Sequence, residues 1–285
     1  MRLCRFRESR LGLVEGDRFR DVTAALDSLP AFRYPFPRHD ALIANLDRVT
    51  ERVRSIAGAE APAALSSVKL QSPVANPDKI IGAPVNYPKH RDEAPDAQIH
   101  AGNALAAIHR VGLFLKASSA VAGPSDGIAL RHLDRRSDHE VELAVIIGKT
   151  ATSVPEARAM DVVAAYTIGL DITLRGPEER SFRKSSDTYA VVGPWLVTAD
   201  EIPDPNNLRL TLSVNGEVRQ DSSTNRMIMS VRELIAYASR FYTLHPGDII
   251  MTGTPEGVSP LSPGDVISAT IESIGSMEVL VRAAE

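Results

Sequence analysis

Three acids stand at alternate positions in the stretch DHEVELAVIIG: Asp138, Glu140 and Glu142. Their spacing is that of a β-strand, in which every second side chain points the same way. Val141, Leu143, Val145 and Ile147 share the opposite face. Like charges two residues apart on one face repel, and burial makes the repulsion worse. A divalent ion of the Mg²⁺ or Mn²⁺ kind removes that repulsion, because it takes several oxygen ligands at once. Asp171, at the end of the apolar run YTIGLD, offers a third carboxylate beside Glu140 and Glu142. The alternative is that the glutamates decorate the solvent side of an edge strand. Ala144 and Ile146 continue their face as apolar positions, so the face reads as covered.

A second constellation lies in VNYPKHRDEA. Pro88 suits the first position of a short helix, and His90 and Glu93 are then three residues apart, where side chains meet. A carboxylate that orients an imidazole makes a general base near neutral pH. The same spacing is also ordinary decoration of a solvated helix. RGPEERSFRKSSDT carries Arg175, Lys184 and Thr188, and MTGTPEGVSP carries Thr254 among glycines. By themselves these two loops read equally as substrate-contacting segments or as plain turns. Neither fits a phosphate-binding or dinucleotide pattern, and no His pair around a Glu marks a zinc hydrolase.

The elements that must hold these residues are mostly strands. The first segment, through VEGDRF, reads as short strands joined by a tight turn. ALIANLDRVTERVRSIA has apolar residues at helical spacing, and an Ala-, Pro- and Ser-rich stretch follows it as a linker. RLTLSVNGEVRQDSST is a hairpin with an Asn-Gly turn. SVRELIAYASRFYTL is an amphipathic helix with Ser230 as its cap. Helices do not alternate regularly with strands, which favours an α+β fold over a doubly wound sheet. The expected division is a small N-terminal domain and linker over 1–67, with the main domain over 68–285.

Composition narrows the function. Over 285 residues the formal net charge is -4, so no basic field invites nucleic acid or an anionic membrane surface. The single cysteine, Cys4, excludes an intrachain disulfide and a cysteine-built zinc site. With no apolar run of signal-peptide or membrane-spanning length, the expectation is a soluble cytoplasmic protein.

Taken in order, six segments resemble the fumarylacetoacetate hydrolase family from about Val68 to the C-terminus: NYPKHRDE, FLKASSAVAGPSD, DHEVELAVIIGK, GLDITLR, RKSSDT and GDIIMTGTPEGV. The resemblance implies a mixed β-sheet roll, with the N-terminal β-rich region as the small domain that many members carry, and a homodimer. It implies Glu140, Glu142 and Asp171 as ligands of Mg²⁺ or Mn²⁺. His90 and Glu93 become the water-activating pair on a closing segment, and Lys184 and Arg175 face substrate oxygens. Thr254 contacts a substrate carboxylate, and Thr188 joins the substrate-binding set. Three departures from the pattern stand out: Pro88 inside the lid motif, an insert over 95–112, and Gly176 where many members have an acid. The implied reaction is hydrolysis of a C–C bond in a 2,4-dioxo acid of the acylpyruvate kind, in sugar-acid or aromatic catabolism. An oxaloacetate-type decarboxylase or a 2-hydroxydienoate isomerase would use the same site, and a non-catalytic binder is the remaining class.

Overall fold

The computed structural model describes residues 1–7, 9–93 and 108–284. Most of the insert over 95–112 therefore lies outside the described residues. The centre of the molecule is the strand Val141–Ile147, every residue of which is buried. Its two faces pack on two different cores. Val141, Leu143, Val145 and Ile147 join one apolar cluster, and Ala144 and Ile146 join the other. The covering expected from the alternation is thus present on both sides.

This strand pairs antiparallel with Val163–Asp171 on one side and Ile249–Met251 on the other. Ile249–Met251 in turn runs parallel to Ile80–Gly82, so the sheet is mixed. Ile80–Gly82 pairs with Phe114–Lys116 at that end. On the far side Val163–Asp171 pairs with Ala190–Thr198. A second sheet runs in the order Glu217–Ser223, Arg209–Val214, Val266–Ile271, Gly275–Ala283, Ile128–Leu130. Its first hairpin turns at Asn215 and Gly216, both with positive φ (52° and 82°), as an Asn-Gly turn between twisted strands requires. The fold is α+β, with helices packed on mixed sheets.

Residues 1–67 are continuous with the larger sheet. Arg2–Phe6 pairs antiparallel with Ala190–Thr198, and Arg10–Glu15 and Arg18–Asp21 extend the sheet beyond it. The helix Leu46–Ile56 buries Leu46, Val49 and Val53 in the same cluster as Ile80, Ala144 and Ile249. Joining the edge in this way covers backbone N–H and C=O groups that a separate domain would leave open. Helix Val231–Phe241 starts at Ser230, whose hydroxyl accepts from Glu233 N–H while the Glu233 carboxylate accepts from Ser230 N–H.

Leu143, next to Glu142 on the opposite face of the strand, is wholly buried. Truncating it to Ala leaves a cavity and should cost about 2–4 kcal/mol, read as a lower urea midpoint at unchanged m-value.

Candidate active site

Strand pairing assembles the acids. Opposite residues of an antiparallel pair share a face. Glu142 lies opposite Gly169, and Asp138 opposite Thr173. Between them Asp171 N–H donates to the Glu140 carbonyl at 2.9 Å, which sets Asp171 across from Glu140. One face therefore presents Asp138, Glu140, Glu142, Asp171 and Thr173, all buried. Gly169 leaves room opposite Glu142, where a larger side chain would meet Met251.

Four carboxylates in one buried patch need countercharge, and Lys184, Lys116, Arg175 and Arg136 supply it. Lys184 Nζ donates to Glu140 Oε2 and Asp171 Oδ2, both at 2.6 Å, and contacts Thr173 Oγ1. Lys116, itself buried, is paired with the other oxygen of Asp171. Arg175 donates from Nε to Asp138 Oδ2 (2.8 Å) and from Nη2 to Glu140 Oε1 (3.1 Å). Arg136 holds the second oxygen of Asp138 at 2.7 Å. Burial alone would raise the Glu140 carboxyl, but Lys184 and Arg175 outweigh it and hold it well below the usual carboxylate range. Glu142 goes the other way. Burial and the nearby Asp171 and Glu140 charges push its carboxyl well up, against a weaker pull from Lys184 and from Gly253 N–H.

The sequence reading left Asp138 without a role. It anchors Arg175, which in turn holds Glu140. It missed Lys116 and Thr173. Lys116 stood in the family-like segment FLKASSAVAGPSD, at the end of a short apolar run, but without an assigned role. Arg175 and Lys184, expected to face substrate, spend their donors on these acids.

The loop Thr252–Ser259 joins this patch to the helix Pro88–Asp92. Gly253 N–H donates to Glu142 Oε2 at 2.7 Å, and Gly257 N–H to Glu93 Oε1 at 2.6 Å. Both glycines have positive φ (94° and 96°). A Cβ at Gly253 would meet Asn86 Cβ at 2.7 Å, and one at Gly257 would meet the Arg219 carbonyl at 1.9 Å. The glycines thus bring amides to two carboxylates of the site. Thr254 Oγ1 accepts from Gln220 Nε2 at 2.8 Å, and Gln220 Oε1 accepts from Val141 N–H at 3.1 Å.

The buried His90 places Nδ1 3.1 Å from Glu93 Oε2. That partner favours the proton on Nδ1 and leaves the lone pair on Nε2. Asn86 fixes the approach to this helix: its amide donates to the Met229 and Thr252 carbonyls and accepts from Met229 N–H. Val85, at φ +51°, turns the chain into that segment. A pocket opens among Val85, His90, Phe114, Glu140, Glu142, Asp171 and Thr254, with Arg175, Arg180, Arg183 and Lys184 also lining it. Eight of the nine expected residues are drawn to this region. Thr188 is not: it lines a separate hollow with Arg131 and Asp187, and its Oγ1 accepts from Ala129 N–H at 2.8 Å. Four residues past Lys184, its left-handed backbone (φ +68°) turns it to the other side. At Gly176, Arg135 takes the space a side chain would fill and pairs with Glu178 at 2.7 Å.

Glu140, Glu142 and Asp171 each offer an oxygen, and these lie within 4.8 Å of one another. A buried, all-oxygen set with one carboxyl pushed up by its neighbours fits a hard divalent ion.

Residues 79–282 match the family model described as fumarylacetoacetate (FAA) hydrolase C-terminal. The chain belongs to the fumarylacetoacetate hydrolase family. Among its relatives in that family is the maleylpyruvate hydrolase of Aquipseudomonas alcaligenes, 53% identical over 99% of this chain and 100% of that protein. A mitochondrial oxaloacetate tautomerase of Rattus norvegicus is 38% identical over 74% of this chain and 68% of its own length. Among solved family structures, maleylpyruvate hydrolase from Sphingobium sp. SYK-6, in complex with manganese (II) ion and pyruvate, superposes with a TM-score of 0.85 at 40% identity, covering 100% of both chains.

A divalent ion needs Glu142 ionised. In the metal-free protein the folded state binds the Glu142 proton more tightly than the unfolded chain, whose value is near 4.5. Its contribution to stability therefore falls as pH rises from about 4.5 through the raised folded value. Added Mn²⁺ should raise the melting temperature more at pH 8 than at pH 5. Glu142→Gln should abolish that metal-dependent rise while leaving the metal-free protein at least as stable at pH 8. A full Mn²⁺ response in the variant would count against Glu142 as a ligand.

Proposed function

We propose that this protein is a metal-dependent hydrolase that cleaves the C–C bond of an acylpyruvate, with maleylpyruvate as the first candidate substrate. The observation that carries the reading is the placing of the His90–Glu93 pair at the same pocket as the buried Glu140, Glu142 and Asp171. Full-length likeness to two maleylpyruvate hydrolases supports the choice of substrate. In this reading Glu140, Glu142 and Asp171 hold Mg²⁺ or Mn²⁺. Once bound, the ion supplies positive charge beside the 2-oxo acid end of the substrate, where negative charge develops.

The chain's own residues do the rest. Glu93, fixed by Gly257 N–H, orients His90 so that Nε2 takes a proton from water as the water attacks the acyl carbonyl. The bond between that carbon and the neighbouring CH₂ then breaks, and its electron pair goes to the CH₂ carbon. The proton held by His90 is available to complete the pyruvate methyl group. Water and maleylpyruvate thereby give maleate and pyruvate. Lys184 and Arg175, already committed to the acids, keep Glu140 ionised, and Lys184 holds Glu140 and Asp171 in place. Thr254 presents its hydroxyl to the substrate carboxylate. A homodimer in the cytoplasm belongs to the same reading, supported by the family resemblance and the single buried, unpaired cysteine.

The test is a substrate panel with Mn²⁺ or Mg²⁺: acylpyruvates, oxaloacetate and a 2-hydroxydienoate. Acylpyruvate should be consumed with stoichiometric pyruvate. Turnover confined to oxaloacetate or the dienoate would replace hydrolysis by the tautomerase or isomerase chemistry. His90→Ala should lower kcat by about 10²–10⁴-fold at unchanged metal content. Loss of metal together with activity would reassign His90 to the metal site.

A further inference from the structure

The cations of the pocket are not equivalent. Lys116, Lys184 and Arg175 are each bonded to one or more of the buried acids. Arg183 donates from Nε to the Glu178 carbonyl (2.7 Å) and from Nη1 to the Leu174 carbonyl (3.0 Å), which makes it a clasp on its own loop. Arg180 stands apart. It lines the same pocket, yet its guanidinium makes no hydrogen bond or ion pair among the described residues. What it does have is a ring: its Cζ lies 5.8 Å from the centroid of Phe114, and Lys184 Nζ lies 5.3 Å from the same centroid.

An arginine head held in a half-buried pocket without an acceptor is costly. Burial lowers its affinity for its proton, and the charges of Glu140, Glu179 and Asp171 only partly offset that. Among the described residues the oxygens of Asp138, Glu140 and Asp171 are already taken by Lys116, Lys184, Arg175 and Arg136, and Glu142, whose Oε2 accepts from Gly253 N–H, makes no ion pair with Arg180. The missing partner is an anion brought from outside. A guanidinium offers a flat fork of donors that matches a carboxylate bidentately. Beside it, Phe114 and Val85 provide an apolar wall for the carbons that lead to such a carboxylate.

We propose that Arg180 is a specificity-determining residue that binds a second carboxylate of the substrate, the one remote from the 2-oxo acid end. The pocket is then built for dicarboxylic acylpyruvates, and monocarboxylic ones lack the group that pairs the arginine. This rests on the acylpyruvate reading above. It adds a residue that the six family-like segments did not single out.

The experiment compares maleylpyruvate, a diacid, with acetylpyruvate, a monoacid, on the Mn²⁺-loaded wild type, Arg180→Ala and Arg180→Lys. Wild type should favour the diacid in kcat/KM. Arg180→Ala should lower the diacid-to-monoacid ratio by about 100-fold, mainly through KM, and Arg180→Lys should recover part of it. Equal losses on both substrates, or an unchanged ratio, would overturn the proposal. Calorimetric titration of maleate gives a readout free of turnover: it should bind Arg180→Ala more weakly than wild type, and equal binding overturns the proposal as well. Failure of the wild type on both acylpyruvates is a different outcome. It removes the hydrolase reading itself, and this inference with it.

Discussion

The structure depends on accommodating four carboxylates inside a sheet. Isolated buried charges are too costly to tolerate, and like charges opposite one another on paired strands add to the cost. The fold answers with cations from elements far apart in the chain. Lys116 closes one strand, Arg175 follows another, and Lys184 ends a short helix. Each must be in place for the acids to be tolerated. The pairing of Val141–Ile147 with Val163–Asp171 is what makes one lysine able to reach both Glu140 and Asp171.

That arrangement divides the acids into two kinds. Glu140 is saturated by protein donors from Lys184, Arg175 and Thr173. Glu142 has a backbone amide and the repulsion of its neighbours. A cation entering the patch therefore gains most from Glu142, while Glu140 and Asp171 arrive with their geometry already fixed. Preorganisation of this sort limits the rearrangement that binding demands.

Much of this was legible in the sequence, for identifiable reasons. Period-two alternation in DHEVELAVIIG gave both the strand and the shared direction of the acids, because side-chain direction on a strand is set locally. The His90–Glu93 contact is also local, a helical spacing of three. The Asn-Gly hairpin and the Ser230 cap followed from backbone chemistry of two to four residues. What remained hidden was long-range. No local pattern shows that Lys116 lies against Asp171, 55 positions away, or that Asp138 meets Arg175. Thr188 shows the converse limit. Near neighbours of a site residue were grouped with it, but a left-handed backbone at Thr188 (φ +68°) sends its side chain to another hollow. Just past the linker composition, Leu70–Gln71 pairs with Arg2–Phe6, a contact between segments that no local pattern links.

The loop carrying Gly253 and Gly257 fastens one end to Glu142 and the other to Glu93. The spacing between Glu142 and the His90–Glu93 pair is therefore set in part by four residues of main chain. A change of loop length would shift the His90–Glu93 pair relative to Glu142. In this short turn the fold has a place where the position of His90 can be reset while the charged patch beneath it stays intact.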